Sequence, residues 1–124
     1  MPLPRSVLAP LLFFSLCAPG QTPSVQILVQ SSPLAGYRHG EAAAVWPLLR
    51  PGDPLELVRE AQNPNDANAV RVDWRGRKLG YVPRRENAAL AWGMDRGTPL
   101  RARVSRLVEH RNRARRIEFE VYLE

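Results

Sequence analysis

The chain has 124 residues, of which 44% are hydrophobic and 24% are charged, and its formal net charge is +6. That length allows one domain of ordinary soluble composition, and it excludes two-lobed dinucleotide-binding enzymes, eight-unit βα barrels and motor proteins. Lys78 is the only lysine among 18 basic residues, which indicates either codon usage in a GC-rich genome or a surface suited to bidentate phosphate binding.

The first twenty residues have the layout of an export signal. Arg5 supplies the positive region, an apolar run extends from Val7 to Ala18, and Ala18-Pro19-Gly20 places small residues before Gln21. The run is too short to span a bilayer as a helix, which needs about 20 apolar residues. We predict a signal peptide over residues 1–20 and a periplasmic or secreted domain without a membrane span. The alternatives are an uncleaved anchor or a misassigned start codon, and the protein would be cytoplasmic if residues 1–20 are not an export signal.

Cys17 is the only cysteine, so no internal disulfide can form. Its position within the signal segment suggests a lipoprotein, but Leu16 stands where a lipidation motif requires a small residue. Removal of the segment takes Arg5 with it and leaves a domain of about 104 residues with a net charge of +5, which is large enough to fold alone.

The remaining chain predicts short strands separated by polar turns. Strands are expected at residues 25–30, 55–60, 69–74, 78–82, 100–108 and 117–124. Helical segments are expected within 41–49, where Pro47 limits the length, and from Pro83 to about Met94. Leu107-Val108 interrupts the alternation of its strand and predicts a bulge. The spacing favours a mainly β domain, a compact barrel of five to six strands with one or two short helices.

Most catalytic and cofactor chemistry is missing from the sequence. It contains neither a glycine-rich phosphate loop nor a nucleophile elbow. A zinc site needs three or four ligands, and His39 and His110 are the only imidazoles, with no cysteine in the mature domain. Asp66 and Glu60 could act as acids, but no His, Ser or Cys stands at a catalytic spacing from them. We therefore expect no metal, no cofactor and no enzymatic activity.

Three motifs in order carry the strongest signal in the chain. A strand ends in Val58-Arg59-Glu60, the turn Asn63-Pro64-Asn65-Asp66-Ala67-Asn68-Ala69 follows, and Gly80-Tyr81-Val82-Pro83 precedes the predicted second helix. Together they resemble the HIRAN domain, and the resemblance extends less sharply over residues 25–124. It implies a small barrel related to the OB fold that captures the 3′ end of single-stranded DNA. The expected partner is single-stranded DNA or another polyanion, and the domain is expected to be a monomer.

The resemblance assigns roles within the turn. Asn63 and Asn68 would fix it through side-chain bonds to the backbone, and Pro64 would set its φ angle. Asp66 would accept a hydrogen bond from the terminal ribose hydroxyl, which the interior of a nucleic acid strand lacks. The alternative is that all four residues only form or cap the turn.

Four further residues follow from the same resemblance. Tyr81 would stack on a base, Arg84 and Arg38 would contact phosphates, and Gly80 belongs to the motif at the end of its strand. A half-buried strand aromatic and solvated surface arginines are the alternatives.

This chain also departs from the DNA-binding members of the family. Asn65 and His39-Gly40 stand where those members have aromatic residues, and Ala61 replaces a proline. Each lost base stack removes about 1–3 kcal/mol of binding free energy.

The C-terminal part of the chain is strongly basic. Between Arg96 and Arg116 there are eight arginines and one acid, Glu109. Alternation places Arg101 and Arg103 on one face, which would bind polyanions weakly or remain solvated. The sequence thus supports two functions: a nucleic-acid-binding module, or an exported interaction domain that keeps the fold but binds a protein, an envelope polyanion or a small ligand.

Overall fold

The computed structural model describes residues 25–112 and 116–124, and the predicted signal segment lies outside them. The mainly β class predicted from the sequence is confirmed. In chain order the elements are β1 (Ile27–Pro33), α1 (Ala42–Val45), β2 (Pro54–Arg59), β3 (Val70–Trp74), β4 (Arg77–Tyr81), α2 (Ala88–Asp95), β5 (Leu100–Leu107) and β6 (Ile117–Leu123). Short 3-10 turns cover Tyr37–His39, Trp46–Leu48 and Arg84–Glu86.

The six strands form one antiparallel sheet in the order β1-β6-β5-β2-β3-β4. The chain beyond β1 returns to the opposite edge of this sheet, where Ala35 forms an isolated bridge with Tyr81 of β4. Two backbone hydrogen bonds of 2.8 Å hold that bridge. The sheet is therefore curved so that its two edges approach, consistent with an OB-like barrel, although no continuous ladder closes it within the described residues.

Gly80 makes this approach possible. A Cβ atom at Gly80 would lie 2.2 Å from the carbonyl oxygen of Ala35 and 3.0 Å from Cγ of Leu34, so a larger residue would push the crossing segment away. From the sequence, Gly80 was predicted only to belong to the motif at the end of its strand. The structure places Gly80 inside β4, where the missing side chain lets two backbones touch.

The core is formed by the inward faces of the sheet and by the two helices. Ile117, Phe119 and Val121 alternate along β6 and are fully buried, as their sequence pattern predicts. Across the sheet, Val70 and Val72 of β3 are also fully buried. The other large, fully buried side chains are Leu34, Val45, Leu49, Leu79, Leu90 and Val104.

Two local expectations are wrong. The bulge in β5 lies at Ser105, between the pairs of Val104 and Arg106, and not at Leu107-Val108. The segment after Pro83 is not one helix, because a 3-10 turn over Arg84–Glu86 precedes α2. The predicted polar turn at 110–114 lies only partly within the described residues.

Candidate nucleic-acid interface

The turn between β2 and β3 is held by its own short polar side chains. Oδ1 of Asn63 accepts a hydrogen bond from the backbone N–H of Asn65 at 2.8 Å. Oδ1 of Asp66 accepts one from the backbone N–H of Asn68 at 2.9 Å. Pro64 is exposed within the turn. Two consecutive Asx-type turns therefore fix this loop.

The structure reassigns the role predicted for Asn68. Its backbone N–H takes part in the turn, but its exposed side chain makes no hydrogen bond within the described part of the chain. The side chain of Asp66, and not that of Asn68, forms the side-chain-to-backbone hydrogen bond in this half of the turn. Because aspartate and asparagine both favour this turn, the sequence alone could not assign the role.

Asp66 is an ionised acceptor at the edge of this turn. Its pKa is lowered, first by the backbone N–H of Asn68 and then by the side-chain amide of Asn87, whose Nδ2 donates to Oδ2 of Asp66 at 2.7 Å. The carboxylate can accept about four hydrogen bonds, and its side chain is 20% exposed. It therefore keeps acceptor capacity toward solvent.

Tyr81 lies across from this turn, at the end of β4. Its hydroxyl donates a hydrogen bond of 2.8 Å to Oε1 of Glu60. The ammonium group of Lys78 lies 4.7 Å from the centroid of its ring. The ring is half-buried. Its hydroxyl is bonded to Glu60 and one face is covered by the Lys78 ammonium, which a stacked base would have to displace.

The two predicted arginines occupy different places. Arg84 lies 76% exposed in the 3-10 turn before α2, and its Nη2 donates to the carbonyl oxygen of Asn65 at 2.8 Å. Arg38 is exposed in the 3-10 turn after β1 and forms no hydrogen bond or ion pair within the described residues. Arg84 is therefore fixed against the Asn63–Asn68 turn, whereas the guanidinium of Arg38 is free to reach an anion.

A cleft of about 400 Å³ joins these parts. It brings together Asp66, Tyr81 and Arg84, as the motif predicts, while Arg38 does not line it. Its walls are contributed by the segment after β1, the Asn63–Asn68 turn, β4 and the start of α2. The lining residues are Ala35, Gly36, His39, Asn63, Asn65, Asp66, Ala69, Lys78, Tyr81, Val82, Arg84 and Asn87.

Sequence reasoning missed the two residues of this cleft whose polar side chains act on Asp66 and Tyr81, Asn87 and Lys78. Asn87 is 2% exposed and resembles an N-cap residue before an alanine-rich helix, yet its side chain makes no capping bond and instead orients Asp66. Lys78 stood out only as the single lysine of the chain. Its position on the same strand as Tyr81, three residues earlier, is the one sequence signal that could have indicated it.

Two arginines of the basic C-terminal part, Arg101 and Arg103, are paired with neighbouring acids. Arg101 pairs with Glu124 at the end of β6, and Arg103 pairs with Glu120 at 3.3 Å. Arg101 is exposed and Arg103 is half-buried. The described arginines of this region therefore offer less free charge than their number suggests, while Arg113 and Arg115 lie outside the described residues.

Residues 25–112 and 116–124 contain neither a candidate metal site nor a candidate membrane-spanning helix. No group of three or more His, Cys, Asp or Glu side chains there could hold a metal ion. In the same ranges no helix has the length and apolar character needed to cross a membrane.

Comparison with known proteins places this chain in a family. A protein from Lactobacillus plantarum has a solved structure with a TM-score of 0.69 at 28% identity, covering 80% of this chain and 95% of that one. The HIRAN domain of human HLTF has a TM-score of 0.61 at 22% identity, covering 79% of this chain and 78% of that one, and shows the common fold. No curated protein matches the chain. The HIRAN domain is generally a DNA-binding module. The family model of this domain matches residues 27–124, so the chain belongs to the HIRAN domain family.

Proposed function

We propose that this domain binds single-stranded DNA at its 3′ end and catalyses no reaction. The observation that carries the proposal is the cleft in which an ionised carboxylate, an aromatic ring and an exposed guanidinium meet. Asp66, Tyr81 and Arg84 come from three different elements, and a backbone approach at Gly80 and a buried amide at Asn87 hold those elements together.

Each group has a distinct task in this proposal. Asp66, ionised at neutral pH, accepts the hydrogen of a terminal 3′ hydroxyl. Arg84 and Lys78 face the phosphates of the last nucleotides, and a base packs against the ring of Tyr81 after Lys78 moves aside. A strand that ends in a 3′ phosphate offers Asp66 a second negative charge and no matching hydroxyl. The cleft would therefore prefer hydroxyl ends.

The residues that replace family aromatics line this same cleft. Asn65 and His39 both contribute to its wall, so the stacking surface is reduced where a terminal base would lie. Two missing stacks at about 1–3 kcal/mol each lead us to expect a weaker complex than a HIRAN domain with aromatics at both positions would form.

A titration with labelled single strands tests the proposal. Strands ending in 3′ hydroxyl or 3′ phosphate are compared over a series of salt concentrations, and the hydroxyl-ended strand should bind more tightly. Asp66→Asn should weaken binding of the hydroxyl-ended strand and reduce the preference. Glu56→Gln, a change of an exposed acid outside the cleft, is the matched control. Equal affinity for the two kinds of strand would contradict recognition of the 3′ end. Absence of binding at low salt would contradict nucleic acid as the ligand.

We also propose that the domain is exported, on the basis of the signal-like sequence of residues 1–20. Export favours the second function, in which the fold binds a polyanion or protein of the cell envelope. A reporter fused after residue 20 tests this location. Reporter activity outside the cytoplasm would support export, and activity confined to the cytoplasm would contradict it.

A further inference from the structure

The outer face of α2 carries an aromatic residue that the core does not need. Trp92 is 65% exposed, whereas Trp74 in β3 is 3% exposed. Ala88 and Ala89 are the other exposed residues on the first turns of the helix. A large aromatic side chain beside two methyl groups is a costly surface to leave in water, and exposed aromatic patches commonly mark binding sites.

A shallow groove of about 290 Å³ runs beside this tryptophan. The side-chain amide of Asn68 lines one wall, and it has no hydrogen-bond partner among the described residues. Asp95 lines another wall, but both its carboxylate oxygens accept from Arg59, at 3.1 and 3.2 Å. The groove thus combines an aromatic plane, a free amide and a carboxylate whose charge is already paired.

Positive charge is available at the tryptophan itself. The guanidinium of Arg96 lies 4.5 Å from the centroid of the Trp92 ring. This guanidinium lies over one face of the indole, so a stacked base would take the other face or displace it, as at Tyr81, with the cation left close enough to neutralise a phosphate.

The groove adjoins the cleft along two stretches of backbone. Asn68 and Ala88 line the groove, while their chain neighbours Ala69 and Asn87 line the cleft. Asp66 joins both sides, since it bonds to the backbone of Asn68 and to the side chain of Asn87. A strand whose end lies at Asp66 can therefore place its next nucleotides in the groove.

We infer that Trp92 is a second stacking platform for single-stranded nucleic acid, on which a base lies while the amide of Asn68 bonds to the base edge. The inference rests on the proposed function and adds a subsite to it. A nucleobase is favoured over a peptide because it offers both a π face for the indole and a hydrogen-bonding edge for the free amide. The platform would offset part of the stacking lost at Asn65 and His39.

Binding of a strand of about ten nucleotides, within the length range of OB-type sites, tests the inference. Trp92→Ala should weaken binding about 5- to 150-fold, whereas Trp92→Phe should keep most of the affinity. Intrinsic fluorescence gives a second measurement: DNA should quench the wild type more than Trp92→Phe, since Trp46 and Trp74 remain in both. Leu48→Ala, at a residue 59% exposed on a different segment, is the control and should bind like the wild type.

The outcomes separate this inference from the proposed function. If the wild type binds the strand and Trp92→Ala binds equally well with equal quenching, the platform is overturned while end capture stands, and a protein becomes the better occupant of this face. If the wild type does not bind at all, both are overturned. Because Trp92 is exposed, unfolding midpoints of the variants should match the wild type, which excludes loss of folding as the cause.

Discussion

At the residue scale, the site depends on two positions that act mainly by placing a neighbouring residue. Gly80 permits the contact between β4 and the segment after β1. Asn87 fixes the carboxylate of Asp66 from a buried position. Both act by placing a neighbour, and substitution at either should alter binding through geometry rather than through a lost contact with DNA.

Gly80→Ala should destabilise the protein by about 1–3 kcal/mol, because the added methyl group would overlap the Ala35 carbonyl and the backbone must move. Urea unfolding measures this change. Gly93→Ala in α2 is the matched control, since its Cβ would make only ordinary contacts at 3.6 Å or more and alanine favours helix. The control should be neutral or stabilising by up to about 1 kcal/mol. Equal destabilisation of both variants would contradict the role assigned to Gly80.

At the element scale, Glu60 connects the strands that carry the cleft. Its carboxylate accepts from Asn63 in the turn, from Tyr81 in β4 and from Arg71 in β3, at 3.0, 2.8 and 3.0 Å. Burial raises its pKa, but these hydrogen bonds and the charge of Arg71 outweigh that effect, and the net pKa is lowered. Three elements therefore depend on one ionised group.

Acid should weaken this connection. A carboxyl group whose pKa is lower in the folded state stabilises the protein above its unfolded pKa, and this stabilisation is lost as the pH falls through the folded pKa. Stability should thus decline below about pH 4. Glu60→Gln should lower the unfolding free energy at pH 7 by about 1 kcal/mol and make it less dependent on pH in the acid range. An unchanged pH dependence in denaturant titrations would show that other carboxylates govern acid unfolding.

The elements that could be predicted from sequence are those whose pattern is local. The alternation of Ile117, Phe119 and Val121 predicted β6, and the Asx residues predicted the turn after β2. The bond between Asp66 and Asn87 joins residues 21 positions apart, and it depends on where the fold places α2, which no local pattern encodes. The sequence also predicted the bulge of β5 at Leu107-Val108 and not at Ser105, because the register of a strand is decided by its partner strand.

At the scale of the whole molecule, the distribution of free charge matters more than its total. Arg84, Arg38 and Lys78 lie in or near the cleft, whereas Arg101 is paired with Glu124 and Arg103 with Glu120. Net charge alone would predict a diffuse, strongly salt-sensitive complex. The structure places three cations, Arg84, Arg38 and Lys78, in or beside the cleft, where the guanidinium of Arg84 also lies 3.9 Å from the carboxylate of Asp66.

This distribution predicts a shallow salt dependence. If two to four cations replace counterions on a single strand, the slope of log K against log salt should lie between about −1.4 and −2.8, because each phosphate contact contributes about −0.7. Arg84→Ala should reduce the magnitude of the slope by about 0.7, while Arg101→Ala, at an arginine paired with Glu124, should leave it nearly unchanged. Filter binding or fluorescence anisotropy measures the slopes, at about four salt concentrations that together span roughly a decade. A wild-type slope steeper than about −4, or an equal effect of the two substitutions, would mean that the C-terminal arginines bind the strand as well.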